Sequence, residues 1–180
     1  MFSREQFIAD LRDSLRERSR AAMREVVARA VADRTALLRA IGALEQPGAT
    51  VLHRAPDLTV LHVVWSPGQI TLPHNHLLSA VIGMYDGRED NLFWRRLPDA
   101  DKYQIEVAGG AALGTGATCV LGRDIIHSVV NPLSRMSGAI HVYDGDFFAV
   151  ERSMWDPETL TEAPYDLAAV SKGATFTGQD

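Results

Sequence analysis

Residues 58–87 read LTVLHVVWSPGQITLPHNHLLSAVIGMYDG, and the fold turns on this stretch. Leu58 to Trp65, Gln69 to Pro73 and Ser79 to Tyr85 are short runs rich in Val, Ile, Leu and Thr, separated by Ser66-Pro67-Gly68 and closed by Asp86-Gly87. Such side chains suit a pleated surface, whereas Pro and Gly interrupt one, so each run predicts a strand. His74-Asn75-His76 stands between two of them. If extended backbone continues through it, alternation sends both imidazoles to one face with Cα atoms about 6–7 Å apart, and such a pair can grip one metal ion.

The same texture continues on both sides. Further strands are predicted over Thr50 to Arg54, Asn91 to Arg96, Tyr103 to Val107, Thr115 to Leu121, Ile125 to Val130, Ser137 to Tyr143 and Phe147 to Glu151. Pro56-Asp57, Pro98-Asp99, Gly109-Gly110, Gly122, Asn131-Pro132 and Asp144-Gly145 separate them. About ten strands with no long helix between them predict an antiparallel sandwich or barrel. Upstream, from Phe2 to about Leu44, the apolar residues recur at helical spacing, including Phe7, Leu11, Leu15, Met23, Val27, Val31, Leu37 and Ile41. Ser3 and Gln6 have capping-box spacing, and the break across Arg16 to Arg20 predicts two helices or one bent helix, ended by Pro47-Gly48. The expected organisation is a helical extension over 1–48 packed on the barrel, a barrel with a wrapping C-terminal segment over 49–170, and a frayed tail over 171–180.

The whole chain has 180 residues with 46% hydrophobic and 23% charged side chains, ordinary proportions for one globular domain with an extension. Its net charge of −5, without a basic cluster, argues against nucleic acid or an anionic membrane as partner and favours a small molecule. Cys119 is the single cysteine, which excludes an internal disulfide or a Cys-x-x-Cys site and fits a reducing, cytoplasmic setting. The early charges in MFSREQFIADLRDSLRERSR do not make a signal peptide.

Of the six histidines, His53, His62, His74, His76, His127 and His141, three fall in a larger pattern. Gly68-x5-His74-x-His76-x10-Gly87 is followed by Gly116-x5-Gly122-x-Asp124-x2-His127-x3-Asn131. Together the blocks resemble the two motifs of the cupin superfamily. That resemblance implies a mainly β double-stranded β-helix, the jelly roll, with His74, His76 and His127 holding a metal inside it. The glutamate ligand usual in that family would fall at Ala80 or Val81, so the implied donors are three imidazoles without a carboxylate.

Three-histidine cupins occur among the thiol dioxygenases, including cysteine dioxygenase and its bacterial relatives, which this chain also resembles in Trp65 and in the late His141-Val142-Tyr143. The resemblance implies a non-haem Fe(II) dioxygenase that converts a small thiol and O2 to a sulfinate. It implies a hydrogen bond from Tyr143 to bound oxygen or substrate, with His141 orienting the hydroxyl. In the family a serine completes that pair; here its position is Ala139, with Ser137 or water as the candidate replacement. Val81 stands where some members carry a crosslinking cysteine, so no crosslink forms. An anchor for a substrate carboxylate falls to Arg54, with His53 and Arg152 as further candidates. Three imidazoles also suit zinc, nickel, copper or manganese, and the alternative reading is a cupin that binds a small ligand without catalysis or runs a different metal reaction. His62 and Cys119 read as packing residues, and Asp86 to Asn91 as a turn carrying solvated charges.

Overall fold

The computed structural model describes residues 2–43, 45–98, 104–170 and 175–178. Three helices come first, α1 (Arg4–Arg16), α2 (Arg20–Ala32) and α3 (Arg34–Ile41), rather than two. Each begins at a side chain that accepts from a first-turn amide: Ser3 from Gln6, Ser19 from Ala22 and Asp33 from Ala36. Asp33 both ends α2 and caps α3, a break that the apolar spacing alone does not reveal.

The strands are β1 (Gly48–Ala55), β2 (Leu58–Trp65), β3 (His74–Asn75), β4 (Ala80–Asp86), β5 (Arg88–Arg96), β6 (Ile105–Gly114), β7 (Thr118–Leu121), β8 (Ile126–Val130), β9 (Ser137–Tyr143), β10 (Ser153–Trp155), β11 (Glu162–Pro164) and β12 (Thr175–Gly178). The short helix α4 (Leu167–Val170) lies between the last two. One six-stranded sheet runs β12-β1-β2-β9-β4-β7, and the facing one runs β11-β10-β3-β8-β5-β6. This is the jelly roll that the motifs imply.

Alternation on the central strands explains why helices precede the barrel. Every residue of β2 and β9 is buried, so the first sheet is covered on both faces. Leu58, Val60, Val81, Ile140 and Val142 point outward and pack with Phe7, Leu11, Val27, Val31 and Leu37 of the helices. Leu61, Val63, Ala80, Ile82, Ala139 and Tyr143 point inward to a second cluster inside the barrel. Burying each large side chain contributes about 1.5–3 kcal/mol, so the helices supply a face the sheet could not leave in water. Gly83 lets α2 approach: a Cβ there would stand 2.5 Å from a Val27 methyl.

Several boundaries differ from the sequence prediction. Gln69 to Pro73 makes one isolated bridge, at Ile70, instead of a strand, and Phe147 to Glu151 turns rather than extends. Gly109 and Gly110 lie within β6, beside a register shift opposite Phe93 and Trp94, and do not separate strands. Within the wrapping C-terminal segment, β10 and β11 extend the second sheet. Within the stretch 171–180, Thr175–Gly178 pairs in parallel with β1; residues 171–174 and 179–180 lie outside those described, as do Tyr103 and Asp99. No described helix is long and apolar enough to cross a membrane.

Candidate metal centre

The second sheet places the three predicted metal ligands. His74 on β3 is the register partner of His127 on β8, and His76 follows two residues later on the same face. The rings converge through their Nε2 atoms: His76 Nε2 lies 3.2 Å from that of His74 and 3.3 Å from that of His127. All three donor atoms lie within 4.8 Å of one another. Asn75, between the two histidines, points the other way and accepts from the Ser153 amide at 2.9 Å, which ties β10 to β3.

Polar partners behind the rings decide which nitrogen faces inward. His74 Nδ1 donates to the Leu72 carbonyl at 2.8 Å, and His127 Nδ1 donates to Asn91 Oδ1 at 2.7 Å. A ring protonated at Nδ1 offers its Nε2 lone pair to the centre. Burial pushes the His74 pKa down to about 4. Burial, then the charge of the other imidazoles, pushes those of His76 and His127 well below the usual value. The rings are therefore neutral near pH 7, the form that ligates. At 3.2–3.3 Å, His76 Nε2 can share a proton with one neighbouring ring or a cation with both, and three neutral, convergent imidazoles are a donor set that fits a divalent transition metal. Ala80, the inward-facing residue where a carboxylate ligand would stand, contributes only a methyl group.

The first sheet supplies the opposite wall. His141 and Tyr143 lie two residues apart on β9, both buried and both facing the barrel interior. The Tyr143 hydroxyl is 3.2 Å from His141 Nδ1, and its ring meets His76 edge-on at 5.0 Å between centroids. Burial raises the Tyr143 pKa far above the ordinary phenol value, so the hydroxyl keeps its proton. The enclosed space beside the histidines is about 50 Å³ and is lined by Leu61, Val63, Thr71, Val129, Phe147 and Tyr165 among others. No Arg, Lys, Asp or Glu lines it among the described residues.

Arg54, the expected substrate anchor, does not line the cavity beside the triad. It pairs with Asp146 at 3.0 Å, stacks on Phe148 and borders a separate surface cleft with His53. The β1 bulge between Val51 and His53 shifts the strand's alternation at that point, which the sequence does not announce. Arg152 also stays outside the inner cavity. Its guanidinium is stacked between the rings of Phe147 (3.8 Å) and Tyr165 (4.0 Å) and lines an outer groove.

Asp86 to Asn91 is a correction. Gly87 makes the turn with φ +77°, and a Cβ there would collide with Ser137. The strand starts at Arg88, and Glu89 and Asn91 point inward, fully or almost fully buried. Glu89 Oε2 accepts from Trp65 Nε1 at 2.8 Å and lies 3.3 Å from His141 Nε2, while Oε1 accepts from Asn91 Nδ2 at 2.9 Å. Ser137 takes no part, since its hydroxyl donates to Asn131. Period-two alternation over Arg88-Glu89-Asp90-Asn91 carried this signal, with Glu89 and Asn91 on one parity.

A jelly roll with three buried, convergent imidazoles defines a cupin-fold protein with a candidate metal centre. No family model matches the chain. Among solved structures it is similar to an RmlC-like cupin from Methanocaldococcus jannaschii, at 10% identity over 59% of this chain and 87% of that one, with a TM-score of 0.47. KdgF from Halomonas sp. is similar at 18% identity over 57% and 85%, with a TM-score of 0.42. A recombinant oxalate oxidase in complex with glycolate is similar at 16% identity over 49% of this chain, with a TM-score of 0.41; the match spans 42% of that chain.

Proposed function

We propose that the protein is a non-haem iron dioxygenase of the thiol dioxygenase type, which oxidises a small thiol to a sulfinate. The observation that carries this reading is a triad of neutral imidazoles, without a carboxylate among the donors, facing a buried Tyr143 hydroxyl across an apolar cavity. When bound, Fe(II) supplies the redox chemistry and retains its full positive charge, which favours an anionic sulfur donor. The transformation balances as RSH plus O2 giving RSO2H: sulfur gains both oxygen atoms and loses four electrons, which O2 takes up, so no external reductant is required.

The chain's own residues orient and enclose. His74, His76 and His127 hold the ion, and Tyr143 offers a hydroxyl donor on the substrate side, with His141 behind it. Leu61, Val63 and Val129 exclude water from the reacting atoms. The size of the cavity and its lack of a lining cation favour a small thiol whose other end carries no carboxylate.

Oxygen uptake by protein loaded anaerobically with iron, on addition of a panel of small thiols, tests the reading. One O2 consumed per thiol with formation of sulfinate is expected, fastest for amine-bearing or uncharged thiols. No uptake across the panel overturns it in favour of a ligand-binding cupin. In the same assay Arg54→Ala leaves KM unchanged, whereas a rise of about tenfold or more, the effect of a lost interaction near 1.4 kcal/mol, would assign Arg54 as the anchor.

A further inference from the structure

We infer that Glu89 is a positioning residue that orients both His127, through Asn91, and the Tyr143 hydroxyl, through His141. Its carboxylate is fully buried and in contact with Trp65, Asn91 and His141. Burial by itself would raise its pKa, but contact with His141, together with bonds from Asn91 and Trp65, outweighs that and holds it below the usual range.

An ionised carboxylate only accepts hydrogen bonds, so it fixes the direction of everything attached to it. The amide nitrogen of Asn91 must face Glu89, which turns Asn91 Oδ1 toward His127. His127 must then carry its proton on Nδ1, leaving Nε2 free for a metal. On the other branch, His141 Nε2 stands 3.3 Å from Glu89 Oε2, a buried contact outside hydrogen-bond geometry in which the negative charge draws a proton to Nε2, and its Nδ1 meets the Tyr143 hydroxyl. The hydroxyl hydrogen rotates freely, so Tyr143 can direct it to His141 at rest and to a ligand above the triad when one is present. One acid thus aligns a metal ligand on one sheet and a hydroxyl on the other. The use of Tyr143 in catalysis rests on the proposed dioxygenase reading; the direction of the hydrogen bonds does not.

Glu89→Gln tests it because glutamine offers one acceptor face and one donor face where Trp65 and Asn91 donate and His141 Nε2 stands 3.3 Å away. Either the Asn91 amide reverses and drives the His127 proton toward Nε2, or His141 loses its Nε2 partner. The readout is the long-range 1H–15N spectrum of the histidines in zinc-loaded protein, with zinc affinity measured alongside. Wild type should show a proton on His141 Nε2 and on His127 Nδ1. In the variant the His141 proton should leave Nε2, or zinc affinity should fall by about 10-fold or more. A wild-type His141 protonated at Nδ1 alone, or a variant with both rings and zinc affinity unchanged, overturns the inference even if melting temperature drops. If the variant does not fold, the wild-type spectrum alone decides. Neither measurement uses oxygen or thiol, so an inactive protein with the expected spectra would sink the dioxygenase reading and leave this one standing.

Discussion

His76→Ala is expected to reduce divalent-metal affinity by more than about 100-fold, beyond the 10–100-fold typical of changes behind the ligands, and to abolish oxygen uptake. His76 is the informative choice because its Nε2 is the one within 3.3 Å of both others. Loss of a buried side chain could lower activity simply by destabilising the fold, so the comparison is His62→Ala. His62 is equally buried but sits on the outward face of β2, with Nε2 2.7 Å from the Tyr85 hydroxyl. Its removal leaves that hydroxyl unpaired and costs about 1–3 kcal/mol of stability. Metal content should be unchanged in His62→Ala and absent in His76→Ala, read by equilibrium dialysis and elemental analysis. Equal metal binding by wild type and His76→Ala would remove His76 from the site.

Tyr143→Phe separates metal binding from turnover. The phenol ring is wedged between His76 and Phe147, so phenylalanine keeps the packing and deletes only the hydroxyl. Iron content should match wild type while kcat falls by about 100-fold, the lower end of what a positioned proton donor contributes. Unchanged kcat on any accepted thiol would exclude the hydroxyl from the mechanism. A parallel loss of iron would assign Tyr143 to holding the ligands rather than to the reaction.

Much of this site was legible because its residues obey a period of two. His74 and His76, and again His141 and Tyr143, each share a face for that reason alone, and the turn residues around them mark the strands. What no local pattern could state is that the two pairs face each other, since β3 and β9 belong to different sheets. Glu89 was hidden by a boundary: with β5 taken to begin at Asn91 it falls in a turn, and a charge beside Asp86, Arg88 and Asp90 looks solvated. The observed strand starts three residues earlier, and alternation then buries Glu89 while Arg88 remains exposed. The surroundings of Arg54 were not legible for a different reason: the bulge in β1 and the partner Asp146, 92 positions away, are tertiary facts.

X-ray absorption of zinc-loaded protein tests the triad most directly, because the absorption edge sees only the ion and its neighbours. One zinc per chain with imidazole scattering from three histidines at about 2.0–2.1 Å is the predicted result. Failure to retain any transition metal, or a bound ion whose spectrum contains no imidazole, would contradict it.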